Sequence, residues 1–138
     1  MMQNANDQLS IVNTKKVLDV KHADLDGSQF ETVKMCHAQF KQVWMASLKI
    51  VDANLSDLEI DGAQIGGAYI HHIGMPRKGN PAYVENAKQR PVRFEDCELE
   101  GSTITNCDLK HVAFNNCDME GATINGILIT DLLDNYHK

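Results

Sequence analysis

Histidines, cysteines and carboxylates are the side chains of this chain with chemistry to offer, and their spacing decides what each can do. A tetrahedral zinc site draws on close pairs such as Cys-x2-Cys or His-x3-His, and the chain has neither. The adjacent pair His71-His72 borders a stretch of different composition and reads as a contact element. No G-x-S-x-G nucleophile turn, phosphate-binding loop or dinucleotide G-x-G-x-x-G occurs, and the glycine-dense patch GAQIGGA from Gly62 is explained by chain turning. Carboxylates are plentiful, but general acid and base work needs a concave, partly desolvated site. No catalytic residue, cofactor or metal is expected, and the reading is non-enzymatic.

The composition narrows the classes further. A chain of 138 residues and 15.4 kDa holds one domain's worth of core. Its net charge of −6 argues against direct nucleic-acid binding, which draws on a basic surface. No run of about eighteen apolar residues is present, so no membrane partner is expected. The start, MMQNANDQLSIVNTKK, lacks the basic segment and apolar run of a secretion signal, which points to the cytoplasm.

The elements that would position these side chains come from a repeat of five. From Val92 the chain reads VRFED, CELEG, STITN, CDLKH, VAFNN, CDMEG, ATING, ILITD. Each block opens on a small or modest residue, carries a large apolar residue third (Phe94, Leu99, Ile104, Leu109, Phe114, Met119, Ile124, Ile129) and closes on a turn-former or polar residue. An earlier run from Leu18 to His72 keeps the same grammar in another register, with large residues at Val20, Leu25, Phe30 and every fifth position to Ile70. Period five fits neither the 3.6 of a helix nor the two of a strand. It fits a short extended segment that turns a corner every five residues, two side chains inward and three outward, with four sides closing a coil of twenty.

Blocks such as Ala23-Asp24-Leu25-Asp26-Gly27 and Ala53-Asn54-Leu55-Ser56-Asp57 resemble the A-(D/N)-L-x-x signature of the pentapeptide-repeat family. The resemblance covers Leu18 to Asp131 apart from one interruption and implies an all-β fold, a right-handed parallel β-helix of quadrilateral section. Nineteen blocks give about five coils, and at the usual strand spacing a stack roughly 24 Å long. The expected organisation is a tail or cap over 1–17, one repeat domain over 18–131 with an inserted loop over 74–91, and a C-terminal cap over 132–138. In the tail, Leu132, Leu133 and Tyr136 have helical spacing, enough for one turn laid over the last coil. Two such ends meeting would give an end-to-end homodimer in place of a monomer.

With four-sided coils, residues twenty apart are stacked. His22, His37, His72 and His111 fall at the fifth position, yet the residues twenty away are Gln42, Asp57, Asp52 and Asp131. No two histidines are stacked. Cys97, Cys107 and Cys117 share the small inward position and are expected to pack as small hydrophobes, whereas Cys36 follows Met35 and faces outward. Gly62→Val is expected to damage folding, because corners favour turn residues.

What remains is surface. Trp44 and Tyr69 precede large inward positions and project outward, where aromatic side chains anchor interfaces; for Tyr69 the alternative is simple packing on Lys49, one coil away. The interruption GMPRKGNPAYVENAKQRP holds all three prolines and Tyr83, with Arg77, Lys78, Lys88 and Arg90 against Glu85, a net +3. Residues 94–134 hold nine acids against Lys110, a net −8. Three functions compete. The favoured one is a scaffold presenting a fixed surface and the 74–91 loop to a protein partner, through Trp44, Tyr69, His71, His72, Arg77, Lys78, Tyr83, Lys88 and Arg90. The family resemblance implies a second: an acidic imitation of duplex DNA, with Glu98 and Asp118 on its face, that binds a type II topoisomerase such as DNA gyrase. The third is an architectural repeat with no specific partner.

Overall fold

The computed structural model describes residues 8–136. They divide into two compact units, one ending at Ala63 and one beginning at Gln64, each taken by itself below.

The backbone turns every five residues because one residue in five is left-handed. In the first unit, φ is positive at His22, Gly27, Thr32, His37, Gln42, Ser47, Asp52, Asp57 and Gly62. In the second it is positive at Gly67 and His72, then at Asp96, Gly101, Asn106, His111, Asn116 and Gly121. These are the fifth positions of the blocks. A left-handed residue with a Cβ costs about 1–2 kcal/mol, a cost that glycine avoids and that asparagine and aspartate reduce. The turn-forming residues of the fifth position follow from that steric fact.

Corners alternate between two kinds. At one kind the backbone closes a turn: the amide of Ser28 donates to the carbonyl of Leu25 at 3.1 Å, and Ala38, Leu48, Leu58, Ala68, Ser102, Val112 and Ala122 repeat the bond to the residue three before. A positive φ at the third residue, 77° at Gly27 and 70° at Gly101, is the mark of a type II turn. The other kind is a bend of lower φ, 52° at Asp96 and 54° at Asn106.

The second residue of the block explains the A-(D/N)-L pattern. Asp24, Asn54, Asp108 and Asp118 each accept the amide two residues on, from Asp26, Ser56, Lys110 and Glu120, at 3.0–3.1 Å. Each such Asx turn satisfies an amide inside a hydrogen-bonded corner and steers the chain into it.

Between corners the structure departs from the expected β-helix. The strands among the described residues are a two-stranded pair, β1 (Thr123–Ile124) and β2 (Ile127–Leu128), and no described side chain is buried. The large inward residues stay about half exposed, 56% for Phe30 and 44% for Leu55. The physical reason is range. A corner is fixed by sterics and bonds within four residues, whereas pairing one side with another needs contacts twenty residues away.

The last two blocks also differ from corners. Asn125 and Gly126 are both left-handed, φ 50° and 81°, which makes a type I′ hairpin of the Asn-Gly kind. Its strands pair antiparallel, Thr123 with Leu128 and Ile124 with Ile127, and the amide of Ile129 donates to the carbonyl of Ala122 at 2.9 Å. Helix α1 (Ile129–Tyr136) follows, so Asp131 lies in a first helical turn instead of at a corner. The helix has two turns where one was expected. An acid in the first turn suits the helix dipole.

Candidate interaction surface

The stretch that interrupts the repeat folds as a chain of turns. Asn80 donates its amide to Arg77, Tyr83 to Asn80 and Ala87 to Val84, and the Asn80 side chain accepts the amide of Ala82 at 2.8 Å. Gly79 at φ 101° and Asn86 at 61° supply the left-handed positions. Pro76 and Ala87 are half-buried, and Tyr83 is the least exposed large aromatic of the described chain. Arg77, Lys78, Lys88 and Arg90 are all exposed on this scaffold. The insertion therefore holds Arg77 and Lys78 in a hydrogen-bonded turn, with Lys88 and Arg90 exposed just after the last turn closes at Ala87.

Just before it, Tyr69 stacks on His71 with ring centroids 4.2 Å apart and planes 15° from parallel. His71 meets His72 edge-on at 4.9 Å, and their Nδ1 atoms lie 2.7 Å apart, one donating to the other. Alternation explains this cluster: positions 69 and 71 fall on one side of a short extended segment. His72 joins because it is the corner, at φ 54°. The sequence reading missed the cluster because it searched for spaced pairs and for residues twenty apart. The adjacency of two histidines behind an aromatic was the signal present. Trp44, in the first unit, is 91% exposed and carries no such neighbour cluster.

The acidic residues of 92–131 are used differently: Glu95 pairs with Arg93 at 3.6 Å, Asp96 is itself a corner and Asp131 lies in the first turn of α1. Asp108 and Asp118 are used by their corners, and Asp108 also pairs with the Lys110 ammonium at 3.2 Å. The Lys110 amide first, then its ammonium, hold the Asp108 carboxyl below its ordinary value. Glu98, Glu100 and Glu120 extend to solvent. Asp118, named beforehand as part of an acidic face, is thus a turn residue as well.

The cysteines correct an expectation. Cys97, Cys107 and Cys117 are exposed. Each thiol donates to the carbonyl two residues back, Glu95 at 3.2 Å, Thr105 at 3.4 Å and Asn115 at 3.4 Å. Each bond spans a bend corner, at Asp96, Asn106 or Asn116, the corner type that lacks the backbone turn bond. A weak S–H donor there has a local job, and no apolar wall is needed for it.

At the C-terminal end Phe114, Asn116, Cys117, Met119, Ile124, Ile129 and Leu133 line a cavity of ≈ 290 Å³, so α1 and the last regular corner share one apolar pocket. Among the described residues, no group of three or more His, Cys, Asp or Glu side chains converges as a metal site. No described helix is long and apolar enough to cross a membrane.

Residues 92–131 match the family model described as Pentapeptide repeats, in eight copies. Comparisons with curated proteins and with solved structures returned no match.

Proposed function

We propose that this chain, whose residues 92–131 are pentapeptide repeats, is a non-enzymatic scaffold that displays the 74–91 insertion to a protein partner. One observation carries the reading: between two runs of regular corners, the insertion folds as hydrogen-bonded turns from Arg77 to Ala87, with Arg77 and Lys78 exposed in the first turn and Lys88 and Arg90 exposed just after the last. A long excursion from a solenoid repeat is commonly its functional part. Ordered turns also reduce the entropy lost when a partner binds. An acidic protein surface is the complementary chemistry.

The same proposal includes the closure of the blocks into a right-handed quadrilateral β-helix of about five coils. Its support is the corner at every fifth residue and the half-exposed apolar row that such closure would cover. In that form α1 and the hairpin cap the last coil, and the pocket under Leu133 is where the cap seats.

The test is a pull-down with two baits, the intact chain and one with Met75 to Arg90 replaced by a short Gly-Ser linker. A partner held by the first and lost by the second supports the reading. A partner held equally by both moves recognition to the repeat face. The acidic residues 94–134, at net −8, favour one second reading, an imitation of duplex DNA that engages a type II topoisomerase. Charge reversal at Glu98 and Glu100 tests it, since neither carries an Asx turn; unchanged supercoiling inhibition would sink it.

A further inference from the structure

The cluster at Tyr69, His71 and His72 has a geometry that interface display does not require. Two imidazole Nδ1 atoms 2.7 Å apart, on exposed rings, place two nitrogen donors of adjacent residues at one point. We propose that His71 and His72 form a bidentate site for a divalent cation of tetragonal preference, Ni²⁺ or Cu²⁺.

The nitrogen separation favours one coordination angle. At metal–nitrogen distances of about 2.0 Å, a right-angled bite needs nitrogens about 2.8 Å apart, whereas a tetrahedral one needs about 3.3 Å. The observed 2.7 Å is set by a hydrogen bond in the metal-free pair and lies closer to the first, so the right-angled bite asks for the smaller change of separation. Square-planar or tetragonal nitrogen sites are those of Cu²⁺ and Ni²⁺, and the usual order of divalent affinities also places copper highest. Proton balance is simple. In the metal-free pair one ring carries its proton on Nδ1 and donates it to the other. To ligate, that ring moves the proton to Nε2 through solvent, and no net proton is released. The cation lies off the line between the nitrogens, each ring turning to aim its lone pair.

Two further features hold the donors. Tyr69 stacked on His71 at 4.2 Å limits rotation of that ring, which makes Tyr69 a positioning residue. His72 sits at a corner whose φ of 54° fixes where its Cβ points. Water fills the remaining coordination positions, since no third protein donor converges among the described residues.

The experiment is calorimetric titration of the full chain with Ni²⁺, which thiols do not reduce, beside Zn²⁺. The variants are His71→Ala and His72→Asn, asparagine being chosen because it accepts the left-handed corner. Intact chain should bind Ni²⁺ more tightly than Zn²⁺. Because loss of outer-shell partners alone weakens metal sites about 10–100-fold, removal of either direct ligand should cost at least about tenfold in Ni²⁺ affinity. Paramagnetic broadening in the intact chain should reach the amides of residues 69–73 first. Equal affinity in either variant, a preference for Zn²⁺, or first broadening elsewhere would overturn the proposal.

Discussion

The two runs of blocks, 18–72 and 92–131, share a backbone and differ in residues. Both turn at every fifth position with φ near 50–80°. In the second run six corners are Asp96, Gly101, Asn106, His111, Asn116 and Gly121, mostly types that enter the left-handed region cheaply. The first run places Thr32, Gln42 and Ser47 at the same positions. Its Asx turns, at Asp24 and Asn54, are separated by five blocks, two of which begin Val-Lys and Val-Trp at the equivalent corners. The family model matches the second run over 92–131. The comparison teaches that the corner belongs to the five-residue period, while the side chains decide how much strain each corner carries.

The largest expected effect breaks a good corner. Gly101 at φ 70° has open space around a Cβ, so Gly101→Val acts through backbone strain alone. It should lower stability by about 2 kcal/mol, read as a shift of the urea midpoint; Gly62→Val at φ 61° should behave alike. The next change repairs a poor corner. Thr32→Asn should raise stability by about 1 kcal/mol, because a β-branched residue at φ 52° gives way to one that tolerates it. A destabilised Thr32→Asn would separate the two runs. Removing a turn acceptor comes third: Asp118→Ala should cost about 0.5–1.5 kcal/mol, with Asp118→Asn close to neutral.

The smallest effect is a pH slope. The folded Asp108 carboxyl is depressed, first by the Lys110 amide and then by its ammonium. A depressed acid contributes stability that is fully present above its unfolded value and is lost as pH falls through the folded one. The stability difference between wild type and Asp108→Asn should therefore shrink as pH drops from about 5 to about 2. A difference that stays constant would show that the charge does not matter at this corner.

Local features were legible in the sequence. Glycine, asparagine, aspartate and histidine every five residues marked the corners, and Leu132, Leu133 and Tyr136 marked α1. Their alternation between hydrogen-bonded turns and bends was not legible, because at corners with a side chain it rests on φ values of 61–63° against 51–54°, a difference that no single residue type dictates. Asn125-Gly126 carried a hairpin signal that the period of five overrode. The role of Cys97, Cys107 and Cys117 was misread, since a small residue beside a bend can serve that bend instead of a core. Closure of four sides into coils was expected from the sequence, and the described residues show the corners without it. At the candidate surface, the bases of the insertion were visible, but the turns between Arg77 and Ala87 and the meeting of His71 with His72 depend on backbone direction.

The measurement that tests the common corner most directly is an amide-resolved NOE experiment on the full chain. A left-handed residue brings its own HN and Hα close and gives a strong intraresidue cross-peak. The account predicts strong peaks at His22, Thr32 and Gln42 as at Asp96, Asn106 and Asn116, with weak peaks at the four residues between. Strong peaks confined to 92–131 would contradict it.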